Sequence, residues 1–453
     1  MDAIEKREKM LNTKIPKLVL SMSIPTVISQ LITVIYNTAD TYFVSHISTS
    51  ASAAVGISFS LQSIIQAIGF GCAMGAGTII SIALGKKDKT KASSTLSSSL
   101  FMALILGILM EAIGLIFLRP LMKLLGAIDT NIDLCISYSK YILIASPFFT
   151  MQFVLNNILR SEGNATYSMV GITSGGILNM ILDPILIFKL SLGIEGAAIA
   201  TMISQIFSFI VLLIMTLKKS ILDLKIRYIS LHIKDYLNII STGVPTIFRQ
   251  GLGSVSTALL NNSINIYGDA AIAAISIANK VYMLIRNIVI GVGQGFQPIA
   301  GYNYGAKRYK RVKKTFLFTS FIGTITCIVF TIFVFIFKKN IITFFRDDPE
   351  VIKYGVIGLN FYLFSIPFLA LSTFINQLYQ SLGYKVIATL LASLRQGIFY
   401  IPLIFILRSL YKVNGILSVQ SISDILTFIV SIPFLIYFFK KYLNKEDEIK
   451  EIR

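Results

Sequence analysis

The sequence predicts an all-α polytopic membrane protein, with twelve transmembrane helices in two six-helix bundles related by pseudo-twofold symmetry along the membrane normal. Three observations carry this reading. The 453-residue chain is 55% hydrophobic and only 14% charged, with a mean hydropathy of +0.75, far more apolar than an ordinary soluble domain. Apolar runs long enough to cross a ~30 Å hydrocarbon core, at ~1.5 Å rise per residue, recur along its whole length. The first half of the chain also lies on the second in one register.

The apolar runs fall at 16–44, 54–84, 92–118, 134–158, 167–189, 196–217, 236–262, 272–300, 314–337, 354–378, 386–407 and 415–439, and no soluble domain fits between them. The net charge of +19 would suit a nucleic-acid partner, but the basic residues sit in short clusters at alternate span ends and not on one folded face. With the N-terminus in the cytoplasm, the inside segments carry Lys6, Arg7, Lys9, "KKDKTK" (86–91), Lys218, Lys219, Lys225, Arg227, "KRYKRVKK" (307–314) and the tail lysines. The loops 45–53 and 263–271 hold no Lys or Arg. This positive-inside bias places both termini in the cytoplasm.

The first run follows a charged start, as in a signal peptide, but it is too long and has no small-residue cleavage site, so it reads as an uncleaved span. Cys72, Cys135 and Cys327 lie in three different spans, without metal-ligand spacing, and read as core residues. The chain has no tryptophan, which leaves tyrosine to form any interfacial aromatic belt.

When Pro25 is laid on Pro245, Gln30 meets Gln250, "AAV" (53–55) meets "AAI" (273–275), and Gly71 and Gly75 meet Gly291 and Gly295. Further on, Gly85 meets Gly305, Lys87 meets Lys307, Pro147 meets Pro367, Asn156 meets Asn376 and Gly163 meets Gly383; after a one-residue slip, Gly196 meets Gly415. Duplication explains such a register. Six spans per half is an even number, so the two copies are parallel, an arrangement that places a substrate cavity between two bundles. The expected organisation is a six-helix lobe over 1–217, a linker over 218–235 able to form an amphipathic surface helix, a second lobe over 236–440 and a charged tail over 441–453. The paired glycines read as close helix packing. The glycine-rich "GFGCAMGAG" (69–77) follows no strand, which removes a dinucleotide-binding reading.

A carboxylate at membrane depth costs at least ~2.5 kcal/mol, so intramembrane acids mark ion paths, relays or partners. Asp40 and Asp183 each lie between one and two turns before an outer loop, and Thr201 lies as far into the span that starts near Gly196. At ~1.5 Å per residue all three sit roughly 8–9 Å below the outer edge of the first lobe. Asn37 shares a helical face with Asp40, and Asn179 with Asp183. Two carboxylates, two amides and a hydroxyl suit a hard cation such as Na⁺, or a pair that shares and passes a proton. Pro184 removes one intrahelical hydrogen bond, from the carbonyl of Met180, beside that site. Asp40 meets Leu260 in the repeat, and Asp183 falls on Pro402 or Leu403, so the fold itself does not require acids there.

"SIPTVISQ" (23–30), "NTADTYFVS" (37–45), "LRSEGN" (159–164), "LNMILDPILIF" (178–188), "GIEGAAIAT" (193–201) and "GQGFQPIAGYNYGAKR" (293–308), in that order, resemble the multidrug and toxic compound extrusion family, nearest its bacterial MepA and DinF-like branches. The resemblance implies an antiporter of a bacterial inner membrane, not an enzyme, that exports amphipathic and often cationic compounds against inward movement of H⁺ or Na⁺. It implies a cation site at Asp40, Asn179, Asp183 and Thr201, with Asn37, Pro25 and Pro184 in support, Pro25 matching a proline associated with bending of span one. No catalytic residue, cofactor or metal other than Na⁺ is expected. The expected partners are small amphipathic molecules and the bilayer, with no nucleic acid and the chain acting as a monomer. The second lobe departs from some relatives: it carries Arg249, Lys280, Arg286 and Arg395 within its spans and only Asp424 as an intramembrane acid, which favours an ion site in the first lobe. Those basic residues read as inter-helix pairs or carbonyl caps, or as a cavity that tolerates anionic or zwitterionic cargo. Glu111 has no evident partner, and Glu162 is expected to be a solvated charge in a turn.

A lipid-linked precursor flippase of the wider superfamily is the alternative function, since it would use a basic cavity to hold phosphates. An intramembrane aspartyl protease is more remote, because neither "ADTY" nor "LDPI" supplies the "GxGD" pattern of those enzymes.

Overall fold

The computed structural model describes residues 3–443, so the tail from 444 onward lies outside the described residues. A bilayer offers backbone groups no partners, and long apolar runs therefore close their hydrogen bonds within themselves as helices. The helices are α1 (Ala3–Asn12), α2 (Ile15–Ser45), α3 (Thr49–Gly85), α4 (Lys89–Ile116), α5 (Leu118–Leu124), α6 (Ile132–Ser161), α7 (Ala165–Pro184) and α8 (Gly193–Lys219). They continue as α9 (Ile233–Ile264), α10 (Asp269–Gly305), α11 (Tyr309–Phe345), α12 (Pro349–Ser381), α13 (Lys385–Ser393) and α14 (Tyr400–Leu443). No strand occurs among the described residues.

Among the described residues, ten helical stretches are long and apolar enough to cross a membrane, and one of them, Lys385–Tyr442, is 58 residues long. At ~1.5 Å per residue that is far more than one crossing needs. Lys412, at φ 53° and ψ −129°, breaks it into two spans. α9, 32 residues long but more polar, completes the twelve expected spans. On α11 the exposed residues Phe321, Val329, Phe333 and Phe337 are all apolar, while Thr319, Gly323 and Cys327 are buried. That is a surface suited to lipid and not to water.

The duplication is repeated in the backbone. Lys87 and Lys307 both end their helices at positive φ (67° and 59°), and Gly163 and Gly383 do the same (85° and 79°). The following N–H closes the same turn each time, Asp88 to the carbonyl of Ala83 and Arg308 to that of Asn303. Asn156 Nδ2 donates to the Ser168 carbonyl at 2.9 Å, and Asn376 Nδ2 to that of Ala388 at 2.7 Å. Equivalent sequence positions thus make equivalent bonds.

The described residues form two compact units, the first comprising residues 3–12 and 28–247, the second 13–27 and 248–443. α2 and α9 are each divided just after their prolines, Pro25 and Pro245. In the first unit the start of α9 packs on α3, where a Cβ on Gly75 would lie 2.0 Å from the Ile239 carbonyl oxygen and one on Gly71 2.4 Å from Ile247 Cγ1. In the second unit the start of α2 packs on α10, where a Cβ on Gly295 would lie 2.6 Å from Ser23 Cα and one on Gly291 2.8 Å from Val27 Cα. Ser23 Oγ donates to the Val292 carbonyl at 3.1 Å and Thr26 Oγ1 to that of Gly291 at 2.7 Å. The paired glycines therefore serve close helix packing, as their spacing indicates.

Two expectations are corrected at the basic end of the first unit. Residues 218–235 hold no amphipathic helix of their own: Lys218 and Lys219 close α8, residues 233–235 open α9, and between them the chain is irregular except for a single 3₁₀ turn, Ile226–Tyr228. The reason lies in α4, whose hydroxyls take the backbone donors that a helix would use internally. Asp223 N donates to Ser93 Oγ at 3.1 Å, and Ser230 N to Ser98 Oγ at 2.8 Å. Lys91–Asp235 at 2.6 Å and Lys89–Asp223 at 3.3 Å hold the same segment.

Glu162 is not a solvated turn charge; it is fully buried. Its carboxylate accepts from Ser220 Oγ at 2.5 Å and Ile221 N at 3.0 Å, and it pairs with Lys6 Nζ at 3.7 Å. Lys6 also donates to the Lys219 carbonyl at 3.2 Å, so α1, the turn after α6 and the end of α8 meet at one carboxylate. Burial lifts that carboxyl to about 7, against the opposing pull of Ser220, Lys6 and the Ile221 N–H.

Candidate cation site

The site is built on a stripe of small residues. Gly171, Gly175, Asn179 and Asp183 follow one another at i+4 spacing along the buried face of α7. A Cβ on Gly175 would lie 2.7 Å from Ser208 Cβ and 2.9 Å from the Ser204 carbonyl oxygen, and one on Gly171 would lie 2.2 Å from Leu212. Without side chains at those positions α7 lies directly on α8, locked by Ser208 Oγ donating to the Gly171 carbonyl at 2.7 Å. Gly176 likewise admits Ile32 and Tyr36 of α2. The same close approach brings the polar residues further along α7 to Thr201 of α8.

Asn179 Nδ2 donates to Asp183 Oδ1 at 3.2 Å and to Thr201 Oγ1 at 3.4 Å. Asp183, Asn179 and Thr201 are all buried. Asp40 Oδ2, on α2, accepts from the Tyr138 hydroxyl of α6 at 3.4 Å. Asp40 stands near enough to Asp183 for the two carboxylates to repel. The four residues expected to form the site are therefore gathered within the first unit.

The oxygens left over define what the site lacks. Asp40 Oδ1, Asn179 Oδ1 and Asp183 Oδ2 are buried and have no hydrogen-bond partner among the described residues. Buried acceptors without donors are costly, and two carboxylates near one another are costlier still. A Na⁺ or a proton satisfies both demands, since each supplies positive charge and a partner for an oxygen. The donor set fits the expected cation on its own chemistry.

The supporting residues divide. Asn37 is half-buried, and its side chain makes no hydrogen bond to this network; only its carbonyl accepts, from Thr41 Oγ1 at 2.9 Å. Pro184 ends α7, and the chain goes on as a π-helical turn, Ile185–Lys189, closed by Leu190 N on the Ile185 carbonyl. Pro25 sits within α2, well away from the acids along the helix. The sequence reading missed Tyr36, Tyr138 and Gln205. Tyr36 reaches Gln205, and Tyr138 touches Asp40 and lies within reach of Thr201. Helical spacing from Asp40 and Thr201 would have found Tyr36 and Gln205, one turn away on the same faces. Tyr138 had no such signal, because it comes from a helix distant in sequence.

The MatE family model matches residues 25–185 and again 245–406, beginning at Pro25 and at Pro245, the two prolines on which the halves of the sequence superpose. The chain belongs to the MatE family. Multidrug export protein MepA of Staphylococcus saprophyticus is 28% identical to this MatE chain over 401 residues, 88% of each protein. Multidrug export protein MepA of Staphylococcus aureus is 27% identical over 405 residues, 88% of the chain and 89% of the relative. Among solved structures, an outward-facing multidrug resistance MATE transporter of the MOP superfamily superposes with a TM-score of 0.89 at 23% identity, covering 96% of this chain and 98% of that one. The MatE fold of twelve helices and the multi-pass membrane character are those that the sequence predicts.

Proposed function

We propose that this MatE chain is a secondary active exporter of amphipathic, mainly cationic small molecules, driven by inward movement of H⁺ or Na⁺ through Asp40, Asn179, Asp183 and Thr201. It works in the bacterial cell membrane with both termini in the cytoplasm. One observation carries the coupling: Asp40 Oδ1, Asn179 Oδ1 and Asp183 Oδ2 are buried acceptors without a donor, grouped around two carboxylates. The multidrug export names of the MepA relatives support the cargo class.

Ion and cargo can drive alternating access only if they bind the two states of the transporter with different affinity. The carboxylates supply the ion's share of that difference. Na⁺ would be held by the free oxygens of Asp40, Asp183 and Asn179, with Thr201 Oγ1 beside them; a proton would sit on a carboxylate oxygen of Asp40 or Asp183. Asp40 shares α2 with Pro25, about 22 Å away at ~1.5 Å per residue, and a proline-broken ladder lets one part of a helix bend without unwinding the rest. A change of charge at Asp40 would thereby bend its own part of α2 without unwinding the rest.

The test is transport in proteoliposomes with proton and sodium gradients imposed separately. Uphill export of a cationic dye under one gradient, collapsing with that gradient, is expected. Dye movement that ignores both gradients would remove the antiport reading.

A further inference from the structure

The second unit holds an excess of positive charge at membrane depth that its one intramembrane acid among the described residues does not balance. Arg249 of α9, Arg286 of α10 and Arg395, in the π-helical turn Leu394–Ile398 after α13, share the unit with a single intramembrane carboxylate among the described residues, Asp424 of α14. Arg286 is near enough to Arg395 and Arg249 to be repelled by both. Arg249, Arg286 and Asp424 each lie at least ~18 Å along their helices from the nearest helix end or break at ~1.5 Å per residue, a depth at which an unbalanced charge costs several kcal/mol.

Asp424 is already spoken for. Its Oδ1 accepts from Arg395 Nε at 2.6 Å and Gln420 Nε2 at 2.9 Å, and its Oδ2 from the Tyr282 hydroxyl at 2.5 Å and Ser365 Oγ at 3.3 Å. A carboxylate has about four lone-pair sites, and all are used. Arg395 also donates through Nη2 to Tyr282 at 2.5 Å. Asp424 and Arg395 thus neutralise one another and fix the local frame. Arg249 Nη1 and Arg286 Nε, by contrast, are buried donors without any hydrogen-bond partner among the described residues. Gly253, one turn beyond Arg249 on the same face of α9, has open space where a Cβ would point.

Two half-buried guanidiniums with free donors, one of them on the face of α9 that is open at Gly253, and a saturated carboxylate leave this cluster able to take an acceptor from outside the chain. We propose that the second unit binds the oxyanion head, carboxylate or phosphate, of an amphipathic molecule between Arg249 and Arg286. Guanidinium forks match the planar, doubly accepting geometry of such heads, and the low dielectric around them strengthens each bond. The apolar body of the ligand suits a site at this depth in a hydrocarbon layer. The inference goes beyond the export reading and does not depend on which ion is coupled.

Binding to the full-length protein in phosphatidylcholine nanodiscs tests it, with empty nanodiscs subtracted. The probe is the fluorescent acid 11-(dansylamino)undecanoic acid, compared with its neutral methyl ester. Saturable binding of the acid, at least tenfold tighter than that of the ester and weakened at least tenfold in Arg249→Gln and Arg286→Gln, is expected. Displacement of the acid by lysophosphatidic acid and by added phosphatidylglycerol would assign the head to lipid phosphates; displacement by short organic carboxylates alone would assign it to soluble acids. Either result supports an oxyanion site. Equal affinity for acid and ester in the wild-type protein overturns the proposal without recourse to any variant, as does unchanged acid binding in both folded arginine variants.

Discussion

Asn179 Nδ2 lies 3.2 Å from Asp183 Oδ1 and 3.4 Å from Thr201 Oγ1, so one amide ties the carboxylate of α7 to the hydroxyl of α8. Its own Oδ1 remains free. The amide therefore positions Asp183 and offers a ligand at once. Asn179→Ala is expected to weaken coupling-ion affinity by roughly 10–100-fold, the usual loss when a ligand or its support is removed. Isothermal titration with Na⁺, and dye efflux as a function of pH for H⁺, would read the change. Wild-type dependence on both ions would show that Asn179 does not serve the site.

Asp40→Asn keeps the volume of the side chain and removes its charge. The variant is expected to reach the membrane in normal amount and to lose gradient-driven export, because the carboxylate that faces Asp183 can no longer exchange a cation. Vesicle transport normalised to protein content is the measurement. Undiminished export by a well-expressed Asp40→Asn protein would exclude this residue from coupling.

The glycine contacts predict a contrast in stability. A methyl group at Gly75 would meet the Ile239 carbonyl oxygen at 2.0 Å, and one at Gly295 would meet Ser23 Cα at 2.6 Å, both on backbone that cannot swing aside. At Gly251 it would meet nothing within 4 Å. Gly75→Ala and Gly295→Ala should each lower stability by about 1–3 kcal/mol, the range for overpacking, whereas Gly251→Ala should not. Thermal unfolding of the detergent-solubilised variants distinguishes the three; equal midpoints would mean that these helices part readily.

Glu162 predicts a pH dependence outside the spans. Its carboxyl titrates at about 7 in the folded protein against an ordinary 4.5, so between those values the folded state holds the extra proton. Its contribution is then complete below about 4.5 and is lost as pH rises through about 7, an effect on the order of 1–3 kcal/mol. The neighbouring Lys6 is lowered by its own burial, so its contribution runs the other way, growing as pH rises toward the ordinary 10.5. Hydrogen exchange in α1 and at residues 219–223 should accelerate from about pH 5 to about pH 8 beyond the intrinsic rate. Glu162→Gln should flatten that slope. An identical slope in the variant would place the titration elsewhere.

The order of apolar runs determined the twelve helices, because a chain in hydrocarbon has few ways to satisfy its backbone. Helical spacing and depth picked out Asp40, Asn179, Asp183 and Thr201, since residues one turn apart share a face and distance from a loop sets level. The superposition of Pro25 on Pro245 was equally legible, and the shared turns at Lys87 and Lys307 follow from it. Contacts between helices far apart in sequence were not. Nothing local in α6 announces that Tyr138 reaches Asp40, that the serines of α4 draw residues 223–230 away from a helix, or that Glu162 is sealed against Lys6. Nor does the sequence around either proline say that α2 and α9 are divided between the two units. Arg395 and Arg286 look alike as intramembrane cations, and only packing gave one a carboxylate and left the other's Nε without a partner. Periodicity fixes which face of a helix is polar, but the partner on that face depends on which helix is brought against it, and that is decided by the fit of side chains over the whole bundle.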